Sequence, residues 1–443
     1  MMNLKSTSTL KTFQTINLLI ALLLICFFPG VSEARIFIDI NSPSVQKIKI
    51  AIPDFRDTSQ SKEQPDLAAS LPAVISNDLD LSGYFIPMDK TAFLEENKSA
   101  FTVDEIQFKD WSTIGADLLL KGSYTCIGQS VEAEVRLFDV FRGRQILGKR
   151  ILGRVDDYRA MMHRISNDIM YLLTGQRGMF LSKIAFVGTA TGHKEIYISD
   201  YDGYNVKQVT HDKSIALLPR WSPQGDKLFY NSYKDGGGPV LYLLDVASGR
   251  SVKVSARKGL NTGAAWAPDG QSAALSLNVG DNLDIHRIDL NGKIMDRLTN
   301  YWGINVSPSF SPDGTKFAFV SNRSGGPQIY VKDLTNGREE RITFEGKYNT
   351  SPAWSNLNKI AYAGMDEGRF NIFTIDPDGG GLRQLTSGQG NNEDPSWYVN
   401  GRHIMFSSNR EGAFHVYLMN ANGQNQRRIT NLKGEQTCPS WSP

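Results

Sequence analysis

Six aromatic residues punctuate the second half of the chain: Trp221, Trp266, Phe310, Trp354, Trp397 and Trp441, at intervals of 45, 44, 44, 43 and 44 residues. A fixed period in this range restricts the chain to a repeat architecture, in which each unit buries its apolar surface against its neighbours. The contents of the unit decide which one. The aromatics open turns such as WSPQG, WAPDG and FSPDG, and a short apolar strand follows each of the first five: KLFYNS (227–232), SAALSL (272–277), KFAFVS (316–321), KIAYAG (359–364) and HIMFSS (403–408). A second strand comes next (LYLLDV, DIHRIDL, QIYVKDL, NIFTIDP, HVYLMNA), then a turn rich in Gly, Asp and Asn, a third strand such as ERITF, and a stretch such as NTSPAW that leads into the next aromatic. Four short strands with Gly/Asp turns make the blade of a β-propeller. Helical repeats are excluded, because no segment of the unit shows a 3.6-residue period.

Counting strands closes the ring. One more set, KIAFVG (183–188), EIYISD (195–200) and KQVTH (207–211), lies upstream of Trp221 with no aromatic-Ser-Pro element before it, while the chain ends on TCPSWSP. The last strand is therefore expected to complete the first blade, leaving no open sheet edge and giving six blades over 182–443. In each PDG turn Pro fixes φ and Gly accepts a positive φ. The Trp or Phe two residues before that Pro is expected to pack between blades, since six equivalent rings cannot all be sites.

With the Ser/Ala-Pro strand innermost, the segments leading into it open on one face: Leu260, Asn261 and Thr262; Ile304, Asn305 and Val306; Tyr348, Asn349 and Thr350; Asn392, Glu393 and Asp394. The loops SNRSGG (321–326) and SNREGA (408–413) share that face. These segments vary between repeats while the PDG turns do not, the pattern of a scaffold carrying a variable binding surface.

The rest of the chain is different. Lys5 and Lys11 precede the largely apolar run Ile16 to Phe28, followed by Pro-Gly and Ser-Glu-Ala, so 1–34 is expected to be a cleaved secretory signal; a run of thirteen residues falls short of the roughly 20 that span a bilayer. RIFIDINSPS (35–44) follows as an extended apolar arm, either a sheet edge strand or a segment that a partner captures by strand addition. Residues 45–175 read as a small α/β domain: a strand in QKIKIAIPDF, a helix carrying Leu67, Leu71, Val74 and Ile75, paired strands in ADLLLKGSYTCIG and SVEAEVRLFDVF, and a helix from Asp156 to Thr174 that stops at Gly175. Residues 176–181 read as a linker. The fold class expected is a small N-terminal α/β domain followed by a six-bladed all-β propeller.

Chemistry is sparse. A formal net charge of +2 without long single-sign runs gives no reason to expect nucleic acid. Beyond the signal only Cys126 and Cys438 remain, expected as free thiols. None of the six histidines (His163, His193, His211, His286, His403, His415) has a His or Cys at metal-ligand spacing, and no GxSxG elbow occurs, so no catalytic residue, metal or cofactor is assigned. DYDGY (200–204) and DPDGG (376–380) resemble the opening of a calcium loop but are better explained as hairpin turns. The alternative to a binding protein is an exported hydrolase or lyase acting on a sugar or lactone at the axial mouth, where Glu393, Asp394 and Glu435 are the acidic candidates.

Taken in order, signal, α/β domain and six PDG-type blades, the chain resembles the TolB family of the bacterial Tol-Pal system. That resemblance implies a monomeric, non-enzymatic periplasmic adaptor that is not inserted in the membrane. Its N-terminal arm, here Arg35, Ile36, Phe37, Ile38 and Asp39, would contact TolA, and its propeller face would bind Pal, the peptidoglycan-associated lipoprotein. It further implies a role in outer-membrane integrity and in constriction during cell division.

Overall fold

The computed structural model describes residues 47–94, 100–279 and 282–443. The expected export signal and the arm, Arg35 to Asp39 included, lie outside these residues.

The α/β domain is built on a mixed sheet. Ile48–Ala51 lies between Phe85–Pro87 and Leu118–Ile127, parallel to both; Ser130–Asp139 and Arg144–Arg154 continue the sheet antiparallel. Alternation along Ser130–Asp139 puts Val131, Ala133, Val135 and Leu137 on one fully buried face. Against that face pack the helices Leu67–Leu81, through Leu71, Ile75 and Leu79, and Tyr158–Thr174, through Met161, Ile165 and Ile169. Trp111, from the short helix Phe108–Thr113, fills the other face with Leu119 and Phe138. Pro72 sits inside the first helix and cannot donate to the carbonyl of Ala68; the Phe55 N–H takes that acceptor at 2.8 Å and ties the preceding loop to the helix. The last helix ends on Gly175, left-handed at φ 72°.

Six four-stranded antiparallel blades follow. Five are consecutive in sequence, with Ala216–Trp221, Asn261–Trp266, Asn305–Phe310, Asn349–Trp354 and Asn392–Trp397 as their inner strands. The first blade is composite: Gln436–Trp441 pairs with Lys183–Gly188 as its inner strand, so the ends of the propeller are stitched together as the strand count required. Trp441 seals the joint by donating its indole N–H to Ser182 Oγ at 2.7 Å. The repeated aromatics pack between blades: Trp221 lies against Val187 and Ile196 of the first blade, Trp354 against Val320 and Ile329 of the fourth, and Trp397 donates to the Ala353 carbonyl of the fifth at 3.0 Å.

Each inner strand carries one bulge. The third residue is left-handed in all six, at Leu218, Gly263, Ser307, Ser351, Asp394 and Cys438, with φ between 50° and 66°. A proline follows in five of the six, so the irregular position forfeits no ladder donor.

Connections leave at two ends. The aromatic-Ser-Pro turns and the turns between the third and fourth strands form one end, and the α/β domain docks there: Arg427 pairs with Asp80 at 2.8 Å, Tyr201 donates to Asp78 at 2.6 Å, and His403 reaches the Ser82 carbonyl at 3.1 Å. A continuous apolar cluster crosses the seam, joining Leu79 and Phe180 to Phe186, Met405 and Leu418. The DYDGY and DPDGG segments close as turns, with Gly203 N–H on the Asp200 carbonyl and Gly379 N–H on the Asp376 carbonyl, each at 2.9 Å.

Candidate protein-binding face

The opposite end holds the segments that enter the inner strands and the hairpins between second and third strands. In it the sequence-predicted residues divide into three groups.

The asparagines are structural. Asn261, Asn305, Asn349 and Asn392 open the inner strands rather than standing in loops, and all are at most 2% exposed. A buried amide must find hydrogen-bond partners, and each of these donates its NH2 group within the fold. Asn305 Nδ2 donates to Asp284 Oδ1 at 3.1 Å and to the Tyr301 carbonyl at 3.0 Å; Asn349 and Asn392 repeat this with Gln328 and Asn371 of the preceding blade. The acceptors are shared with a buried threonine one strand over, Thr299, Thr343 or Thr386, whose hydroxyl also takes the N–H of Ile285, Ile329 or Ile372. Each set is a polar staple between consecutive blades. The expectation that these asparagines present themselves to a partner is corrected by their burial: their amides are spent on the blade interface.

The SNR arginines are clamps of the same kind. Arg323 donates to Ser321 Oγ, Glu339 and Asn305 Oδ1, and Arg410 to Ser408 Oγ, Gln426 and Asn392 Oδ1. The Arg323 guanidinium lies 4.2 Å over the Tyr301 ring.

The exposed surface comes from the residue just before each inner strand. In the second to fifth blades it is Ile215, Leu260, Ile304 and Tyr348, 44%, 37%, 47% and 41% exposed, whereas the sixth and first blades have Asn391 and Glu435. Tyr301 and Trp302, half and four-fifths exposed, stand beside Ile304. The result is an apolar arc on the rim of four adjacent blades, facing away from the α/β domain. Its backbone is pinned. Asn278 and Asn322, at the ends of second strands, accept from the Leu260 and Ile304 N–H groups at 2.9 and 2.8 Å, which explains the recurring Asn at that place in the repeat. Tyr348 is braced edge-on by Phe370 at 5.5 Å.

Thr262, Val306, Thr350, Glu393 and Asp394 occupy the second and third places of inner strands and are half-buried, Val306 packing against the apolar core between the fourth and fifth blades. Asp394 accepts from Ser351 and Ser407 hydroxyls at 3.4 Å and from the Cys438 thiol at 3.3 Å, joining three blades. Burial pushes the Cys438 thiol up, with Asp394 adding to it, so Cys438 stays protonated and donates. Burial, and then the neighbouring Asp394, also raises Glu393. Glu435 lies out on the rim. Cys126 and Cys438 are both free thiols.

Sequence reasoning missed Trp302, Tyr301 and Ile215. A signal existed for Trp302: the equivalent positions of the other blades hold Lys213, Lys258, Gly346, Gln389 and Lys433, so a tryptophan there departs from the repeat without any packing role to explain it.

This geometry agrees with what the chain resembles. Residues 36–146 match the TolB amino-terminal domain, and residues 170–443 match the TolB beta propeller domain. The chain belongs to the TolB family. Relatives named Tol-Pal system protein TolB include one from Desulfosudis oleivorans, 41% identical over 288 residues, and one from Syntrophus aciditrophicus, 38% identical over 246 residues. These matches span 65% and 54% of the chain, and the same shares of the two relatives. The crystal structure of TolB from Acinetobacter baumannii superposes with a TM-score of 0.78 at 27% identity, covering 92% of this chain and 100% of that one.

Proposed function

We propose that this TolB-family chain is a periplasmic, non-enzymatic adaptor of the Tol-Pal system. Its propeller binds Pal across the face that the α/β domain leaves open, and its N-terminal arm, Arg35 to Asp39, engages TolA; through these contacts it supports outer-membrane integrity and constriction during division. One observation supports this placement of the Pal site: the apolar residues Leu260, Ile304 and Tyr348, with Ile215, Tyr301 and Trp302, are exposed on four adjacent blades, and the backbone is pinned at Leu260 and Ile304. Exposed aromatics on rigid backbone are the side chains that anchor protein interfaces at low entropic cost. Thr262, Val306, Thr350, Glu393 and Asp394, half-buried on the inner strands that the arc leads into, belong to the same proposed surface. Asn261, Asn305, Asn349 and Asn392 serve it indirectly, by fixing the strands that the arc rides on.

The division of labour is tested by deleting 35–44 from the secreted protein and measuring both partners. TolA binding is expected to vanish and Pal binding to persist. Loss of both on folded protein would refute two separate sites.

A further inference from the structure

The seam between the two domains contains a histidine held in one protonation state by its neighbours. His403 opens the second strand of the sixth blade and is buried between Ser82 and Tyr84 of the α/β domain and Gly178 to Phe180 of the linker. Its Nε2 lies 3.1 Å from the Ser82 carbonyl, an acceptor only, so Nε2 carries a proton. Its Nδ1 lies 3.4 Å from Asn400 Nδ2. The orientation of that amide is set independently, because Asn400 Oδ1 accepts the Arg402 N–H at 2.8 Å. The Asn400 NH2 therefore donates to Nδ1, and a second proton on the ring would meet another donor.

The charges around the ring point the same way. Arg402, the residue before it, which engages Tyr84, and Arg177 from the linker line the pocket, and among the described residues no carboxylate does. The acidic groups of the seam are engaged elsewhere: Asp78 by His163 and Tyr201, Asp80 by Arg427, and Asp202 by Arg159. Burial lowers the His403 imidazole from its ordinary 6.5 to about 4; the Ser82 carbonyl works against that shift and Arg402 adds to it.

We propose that the domain seam is an acid-sensitive latch, in which closure of the α/β domain onto the propeller and protonation of His403 exclude one another. The sign follows from linkage. A histidine whose docked state resists protonation supports docking fully above its free value and withdraws that support as pH falls towards the docked one. Lowering the pH from 6.5 to about 4.5 raises the open fraction of the seam by about 40-fold, the rise approaching one decade per unit only between the free and docked values.

The test is hydrogen–deuterium exchange of the full secreted chain between pH 7.5 and 4.5, corrected for intrinsic exchange and followed in the peptides covering 79–84 and 176–182. In the parent protein, opening is expected to rise on acidification over that window. His403→Gln keeps an N–H donor for Ser82 without a titrating ring and should lose most of the rise. Asn400→Asp offers Nδ1 a carboxylate while still accepting from Arg402, and should hold the seam closed to lower pH. If Gln and parent profiles coincide, or if Asn400→Asp leaves the profile unmoved, the latch is refuted; the Asp variant decides alone should the Gln variant fail to fold.

Discussion

Replacing Asn305 by alanine separates a structural role from a binding role at a position where the sequence alone suggests the latter. The amide makes three hydrogen bonds: to Asp284 Oδ1 at 3.1 Å, to the Tyr301 carbonyl at 3.0 Å, and from Arg323 Nη2 at 3.1 Å. Asp284 keeps Thr299 and Arg297, and Arg323 keeps Ser321 and Glu339, so no charge is stranded. The loss is then about 1 kcal/mol per bond, about 3 kcal/mol in all. At about 2–4 °C per kcal/mol for a domain of this size, the melting midpoint of the propeller should fall by about 6–12 °C. The assay is calorimetry or circular dichroism of Asn305→Ala beside Tyr348→Ala; the half-exposed tyrosine should cost within about 0.5 kcal/mol. Pal binding by folded Asn305→Ala should weaken less than that of Tyr348→Ala. Unchanged stability together with lost binding would refute the assignment of the buried asparagines to the blade interface.

Other outcomes are expected. Trp302→Ala should leave the melting midpoint unchanged and weaken Pal binding by about 2 kcal/mol, about 30-fold, as isothermal titration would show. Trp441→Ala empties the joint where the ring is stitched and should cost about 3–5 kcal/mol, read as a lowered urea midpoint with an intact α/β domain. Glu393 is raised, so its ionisation works against folding above the ordinary carboxylate range and the penalty disappears in acid. Glu393→Gln should therefore be more stable than the parent at pH 7, with the difference closing as pH falls towards the ordinary value of 4.5. A larger advantage in acid would contradict this.

The propeller was legible because its information is periodic. Six aromatics at constant spacing, alternating strands and an incomplete unit at each end define the blade, the blade number and the closure of the ring. The inner-strand asparagines were legible as a repeat but not as to role, since a polar residue at a strand start reads equally as a solvated loop or as a buried staple. Only the three-dimensional meeting of Asn305 with Asp284 and Arg323 decides between them. Trp302 escaped for the opposite reason: it has no counterpart in the other blades, and a search for what recurs passes over what does not. The seam was beyond any sequence pattern. Asp78, His163 and Asp202 come from two helices and a blade turn, and among the described residues they are the cluster in which His and carboxylates could share an ion; Arg159 on Asp202 and Tyr201 on Asp78 already occupy the groups. Spacing rules look for ligands a few residues apart and have no access to such a meeting.

The central claim is that the face opposite the docked α/β domain recognises the partner, and it is tested most directly by comparing affinities for purified Pal after equal truncations at the two ends of the propeller. Ile304→Ala on the apolar arc and Leu357→Ala on a turn at the domain-docking end remove similar, half-exposed side chains. Calorimetric titration should show a loss of about tenfold or more for the first and no change for the second. Equal affinities, or a loss confined to Leu357→Ala, would contradict the account.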